Sequence, residues 1–230
     1  MKNDSQKLVL DFENPQFLEF YGALLGDGWL SAHSRSDRIN SKAWVVGFSG
    51  DIKLDENYLA RIKRFTKSLF GKEGYYKYRP NYSAMEFRFG FRELIELLNK
   101  ELGFPIGLKE DLKINPRYLG KWNLMKYVIR GLFDTDGSFY CDKDKRYRTP
   151  YPTIDITSDS TKLLGQLASE LRGQGFRVIV NKRNIKMKGR EQTAKWFKEI
   201  EPKNERHLRR YNDFILSNGP VAQSGQSDTL

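Results

Sequence analysis

The chain has one cysteine, Cys141, and two histidines, His33 and His207. A lone cysteine excludes an intramolecular disulfide, and three such ligands set far apart exclude an ordinary zinc site. No apolar run approaches the roughly 18 residues of a membrane-spanning helix, and no signal peptide opens the chain, so no membrane partner is expected. An intracellular setting is compatible with this cysteine usage. Acids are also in short supply. Forty Lys and Arg stand against 29 Asp and Glu, a net charge of +11 with a pI near 9.6. That excess predicts a polyanionic partner.

What is present falls into two similar halves. Phe20–Gly28 reads FYGALLGDG and Ile129–Gly137 reads IRGLFDTDG. Gly22, Asp27 and Gly28 recur as Gly131, Asp136 and Gly137, each 109 residues on, which points to an internal duplication. Hydrophobic spacing predicts the same element order, α-β-β-α-β-β-α, in each half. The first repeat is expected over 14–103 and the second over 121–216. A connector over 104–120 joins them, with an N-terminal arm at 1–13 and a disordered tail at 217–230. Strands are expected at Trp29–Arg38, Lys42–Ser49, Tyr75–Arg79 and Ser83–Phe89. Their counterparts are Ser138–Tyr147, Tyr151–Thr157, Phe176–Lys182 and Asn184–Lys188. The fold class is α+β. Trp29, Trp44, Trp122 and Trp196 are expected in the core.

Each motif reads as an apolar helix ending in an aspartate. A helix C-terminus favours cations, so two aspartates placed there predict a compensating cation. A carboxylate beside helix-end carbonyls is an all-oxygen site suited to a hard divalent ion such as Mg²⁺, with Ca²⁺ or Mn²⁺ able to substitute in binding. The predicted ligands are Asp27 and Asp136 with the carbonyls of Gly26 and Thr135. Small residues four apart, Gly22 with Gly26 and Gly131 with Thr135, let two helices approach closely. If they pack side by side, the two carboxylates converge. A divalent ion held there can activate water and stabilise charge on a phosphate, and on a basic protein that phosphate is a nucleic-acid backbone.

The two stretches resemble the paired motifs of the LAGLIDADG homing endonucleases, and the resemblance extends over roughly 14–216. It is closest to the monomeric, two-repeat, intron-encoded members. It implies two four-stranded antiparallel sheets forming a saddle on double-stranded DNA, with the motif helices packed at the centre. It further implies a divalent-metal-dependent double-strand break with 3′ overhangs at a long, asymmetric target. The setting would be a prokaryotic cytoplasm or nucleoid, or an organelle. By the same resemblance Asp27 and Asp136 are catalytic, and Lys109 and Lys203 match lysines that follow the third helix of each repeat. Ser158 matches a polar position at the end of the second strand, whereas Gly50 does not. The earlier acidic position of the motif is Asp134 in one copy and Leu25 in the other.

Strand alternation selects an exposed face for reading base edges. On it fall Ser31, His33 and Arg35, then Lys77 and Arg79 with Tyr75, then Glu86 and Arg88. In the second repeat it carries Tyr140, Asp142 and Arg146 with Asp144, and then Lys186 and Lys188 with Asn184. The basic tract with Lys182 and Arg183, and the run His207–Arg210, are expected on phosphates. Two other readings stand beside the nuclease. One is a maturase that binds intron RNA on the same fold; the other is a non-catalytic DNA-binding regulator. Retention of both Asp27 and Asp136 favours the nuclease.

Overall fold

A computed structural model describes residues 10–34, 41–142 and 151–218. The first repeat comprises α1 (Pro15–Leu25), β1 (Gly28–Ser34), β2 (Lys42–Asp51), α2 (Glu56–Phe70), β3 (Tyr75–Arg79), β4 (Ala84–Phe89) and α3 (Arg92–Leu102). The second comprises α4 (Trp122–Asp136), β5 (Gly137–Asp142), β6 (Tyr151–Thr157), α5 (Thr161–Gly173), β7 (Ile179–Val180), β8 (Asn184–Lys188) and α6 (Arg190–Glu199). A seventh helix, α7 (Glu205–Asn218), follows. The strands form two antiparallel four-stranded sheets, ordered β1-β2-β4-β3 and β5-β6-β8-β7. None of the described helices is long and apolar enough to cross a membrane.

Asn14 starts α1. Its side chain accepts from the amides of Gln16 (2.9 Å) and Phe17 (3.4 Å), and Pro15 takes the first turn. From Phe17 to Leu25 every residue of α1 is buried, as a helix at the centre of a fold requires. α1 packs along α4, and the contact runs through glycine. A β-carbon on Gly22 would stand 3.0 Å from the amide of Leu132 and overlap the carbonyl of Val128. One on Gly131 would stand 2.7 Å from the amide of Ala23 and overlap the carbonyl of Glu19. The two motifs therefore meet backbone to backbone, with their C-terminal ends on the same side.

Several expected boundaries move, each for a local reason. α2 starts at Glu56 rather than Lys53 because Asp51 Oδ1 accepts from the amides of Lys53 (2.8 Å) and Leu54 (2.9 Å), holding them in a turn. Strand β7 is two residues long, not seven. Phe176 instead turns into the core against Trp196 (ring centroids 5.8 Å apart), and the amide of Arg177 donates to Gln192 Oε1 at 2.7 Å. The end of the expected arm is not free. Phe12 packs edge-on to Phe17 (5.5 Å), and its carbonyl accepts from Tyr118 Oη at 3.1 Å. The last helix runs past Leu216 to Asn218, whose carbonyl accepts from Arg190 Nη1 at 2.9 Å. The ends expected for the first strand of each repeat, Arg38 and Tyr147, lie outside the described residues, as do most of the expected arm and tail.

Trp196 is core, and Trp44 and Trp122 pack against the core. Trp29 is different. It pairs with Gly47 across β1 and β2, and its ring covers Gly47 on the sheet face that α2 and α3 leave free. The guanidinium of Arg88 stacks on that ring at 5.1 Å.

Candidate active site and nucleic-acid interface

Close packing of α1 and α4 brings Asp27 and Asp136 together, and their carboxyl groups hydrogen-bond to each other. Gly26 permits this. A β-carbon there would collide with the side chain of Thr135 and stand 3.5 Å from Asp136 Cγ. Burial pushes both carboxyls above their usual range, and for Asp136 the neighbouring Asp27 pushes in the same direction. Lys109 and Arg206 oppose the rise in both. Burial, the largest cause, disfavours the charged form of both carboxyls, and a bound cation would offset that cost by replacing the lost solvation.

Two basic side chains flank the pair. Lys109 Nζ donates to the carbonyls of Gly26 and, at 3.4 Å, Leu25. Burial lowers its pKa, while Asp136 and Asp27 pull it back up. On the other side Arg206 Nη2 donates to the carbonyl of Thr135. The expected lysine, Lys203, does not reach the pair. Its ammonium lies 3.2 Å from Glu201, and only its backbone amide is engaged, at 2.8 Å from Asp134 Oδ2. Arg206 takes that place because both cations lie seven residues beyond the third helix of their repeat, which ends at Leu102 in one and Glu199 in the other. Counting from the helix end identifies Arg206 where matching lysines does not.

The predicted metal ligands thus divide into two kinds. The carboxylates face each other, while the carbonyls of Gly26 and Thr135 already accept from Lys109 and Arg206 and keep one lone pair each. Among the described residues no group of three or more His, Cys, Asp or Glu side chains is placed to hold an ion. The donor set fits a hard cation that draws its remaining ligands from a phosphate and water.

Two further residues join the site without a sequence signal. Asp55, ahead of α2 in the first repeat, lies 3.0 Å from Arg206 Nη1 and accepts from Asn204 Nδ2 at 2.8 Å. Asn204 also donates to the carbonyl of Asp134 (2.9 Å), and its amide to Asp134 Oδ1 (3.1 Å). Asp134 is buried and tied down by these bonds, so the earlier acidic position of the motif is structural here. Burial pushes its carboxyl up to about 7. Asp55 also explains the asymmetry at the end of the second strands. It lies over Gly50, where a β-carbon would stand 2.8 Å from Asp55 Cβ. Ser158 has a side chain instead, and it lines an open cavity of about 280 Å³ with Lys109, Asp136 and Arg183.

The strand residues fall on the sheet faces away from the helices. On the first sheet Glu86 bridges Arg79 (2.8 Å) and Arg88, with Lys77 directly across from it. Ser31 Oγ lies 3.2 Å from His33 Nδ1 on the same face. On the second, Lys186 donates to Tyr140 Oη (3.1 Å) and pairs with Asp155 (3.3 Å), which also accepts from Asn184 at 3.1 Å. Asp155 was not foreseen. Lys188 lies 3.9 Å from Asp142. Lys182 and Arg183 are exposed, Arg183 paired with Asp159 at 2.5 Å. Arg35 and Arg146 lie outside the described residues. His207 is not on the surface; it is buried with its ring 4.4 Å from that of Phe133.

Residues 123–213 match the family described as LAGLIDADG-like domain. A search of curated protein sequences gives no match. Among solved structures, the homing endonuclease I-DmoI, as mesophilic variants, aligns with a TM-score of 0.60 at 14% identity, over 83% of this chain and 97% of that one. A variant of I-SmaMI aligns at 0.60 and 14%, over 90% and 92%. I-DmoI in complex with DNA and Mn aligns at 0.57 and 16%, over 81% and 97%. Residues 123–213 are thus a LAGLIDADG-like domain, and the chain as a whole, with its two repeats meeting at their motif helices, has the fold of these homing-endonuclease structures.

Proposed function

We propose that the chain is a site-specific, divalent-metal-dependent DNA endonuclease that works as a monomer. It cuts both strands of a long asymmetric target and leaves 3′ overhangs. The observation that carries the reading is the convergence of Asp27 and Asp136 between two motif helices, with Lys109 and Arg206 acting on both carboxyls from the ends of those helices. Structures of I-DmoI with DNA and Mn, and with DNA and Ca, support double-stranded DNA as substrate and a divalent ion as cofactor.

Asp27 and Asp136 would hold the ion, with the free lone pairs of the Gly26 and Thr135 carbonyls nearby. Once bound, Mg²⁺ supplies an acidified water and a Lewis acid for the phosphate. The protein's own groups do the rest. Lys109, with its ammonium on a carbonyl and its pKa lowered, can shift to a phosphate oxygen as charge develops there. Arg206 is fixed by Asp55 and holds the end of α4, and with it Asp136, in position. The half-sites therefore act with unlike cations, one lysine and one clamped arginine. The sheet faces supply mixed donors and acceptors for base edges.

The test is incubation of the protein with the uninterrupted host-gene allele in Mg²⁺ or EDTA. A Mg²⁺-dependent cut at one site is expected. No cut, together with stimulated splicing of the intron RNA, would replace the nuclease with a maturase.

A further inference from the structure

The first repeat has a basic cleft on the side of its sheet that faces away from the strand residues described above. Tyr76 locates it. On β3 its neighbour Lys77 faces the open side opposite Glu86, while Tyr76 packs inward against Phe87 at 5.7 Å. The cleft, about 470 Å³, lies between Tyr76 and the last turns of α2, and Lys63, Arg64, Lys67 and Lys72 line it with Glu73 as the one acid. Lys63 Nζ stands 5.1 Å over the Tyr76 ring. Gly71, in the left-handed conformation, turns the chain back and brings Lys72 beside the helix end.

Helix-end electrostatics account for Lys67 and Lys72. They do not account for Lys63 and Arg64, which sit further back on the same face. The second repeat keeps only part of the cluster. The buried positions Tyr58, Leu59, Ile62 and Thr66 of α2 correspond to Leu163, Leu164, Leu167 and Leu171 of α5. On that register Lys63 and Arg64 become Ala168 and Ser169, while Lys67 and Lys72 become Arg172 and Arg177. The cations at Lys63 and Arg64 are thus particular to the first repeat. Lys67 pairs with Glu73 at 2.8 Å, and Lys63, Arg64 and Lys72 add three further cations to the same cleft, a surplus that favours an anionic ligand.

We propose that this cleft binds the phosphodiester backbone of a second nucleic-acid segment, separate from the duplex on the strand faces. The segment is DNA flanking the target, led around β3, the edge strand of the first sheet.

The experiment measures binding against salt for wild type and a Lys63→Gln, Arg64→Gln, Lys67→Gln variant. The probes are a random-sequence DNA duplex of about 60 base pairs and a random-sequence single-stranded RNA, neither of which has to be cut. Three lost phosphate contacts should flatten the slope of log K against log salt by about 2.7 on duplex or about 2.1 on single strand. A change on duplex supports the cleft as a DNA site, and a change on RNA alone would overturn that assignment. Unchanged slopes on both would overturn the proposal. So would an equal change in a control on the second repeat that removes the same three charges, Lys162→Gln, Arg172→Gln, Lys198→Gln, because net charge alone would then explain it. Chemical acetylation of the wild-type protein gives a measurement free of folding effects. Lys63, Lys67 and Lys72 should be protected by the bound probe, and equal labelling with and without it would count against the cleft. Failure of the nuclease reading alone would leave these results in place.

Discussion

Asp55 and Arg206 pair across the two repeats, with 3.0 Å between Oδ1 and Nη1, and both are largely buried. One belongs to the first repeat's α2 N-terminus, the other to the first turn of α7. The same guanidinium holds the carbonyl of Thr135. Loss of the carboxylate leaves a mostly buried cation unpaired. Asp55→Ala is expected to cost about 3 kcal/mol of stability, and a second change, Arg206→Met, to recover part of it. Thermal or urea denaturation checks both. An Asp55→Ala protein as stable as wild type would mean that the pair is incidental.

The motif glycines separate packing from helix propensity. Gly22→Ala places a β-carbon on the backbone of Val128 and should cost ~1–3 kcal/mol or more, since backbone cannot repack as side chains do. Gly165→Ala, in the exposed face of α5 with open space around it, should instead add about 0.5–1 kcal/mol. Opposite signs in one denaturation series are the expected result; a harmless Gly22→Ala would argue against backbone contact between α1 and α4.

His207 makes stability depend on acid. Burial lowers its pKa to about 3, from an ordinary 6.5. The folded state therefore binds fewer protons than the unfolded one between those values. The contribution of neutral His207 is fully present above pH 6.5 and is lost as pH falls toward 3, at up to ~1.4 kcal/mol per pH unit. Asp134, raised to about 7, works in the opposite direction, so the comparison needs a variant. His207→Phe keeps the ring contact with Phe133 and should lose less stability than wild type between pH 6 and 4. Parallel pH profiles for the two proteins would show that His207 does not titrate on unfolding.

Arg88 is held on the open sheet face by Glu86 and by the Trp29 ring, which presents its remaining donors to a groove in a fixed direction. A fixed guanidinium suits the O6 and N7 acceptors of guanine. Arg88→Gln should relax discrimination at one base pair by about 1–3 kcal/mol and leave the others unchanged. Cleavage of a library of single-base target variants reads this directly. A profile unchanged at every position would remove Arg88 from base recognition.

The duplication, the element order and the convergence of two aspartates were legible because they depend on local periodicity and on one repeated motif. The clamp was not. Asn204 reaches Asp55 across 149 residues, and no spacing rule connects them. Matching lysine to lysine points to Lys203 and passes over Arg206; the position is set by distance from the end of α6, not by residue type. Trp29 was assigned to the core on its hydrophobicity. Only the register that sets it opposite Gly47 shows that the ring lies flat on the open face and carries Arg88. His207 went the other way, placed outside for its charged neighbours but buried against Phe133.

The central claim is that Asp27 and Asp136 form a composite active site between the repeats. Supercoiled plasmid carrying the uninterrupted allele, treated in Mg²⁺ with wild type, Asp27→Asn and Asp136→Asn, tests it most directly. The account predicts linear product from wild type and none from either variant, with duplex affinity retained in both. Linear product from either variant at the wild-type rate would contradict it.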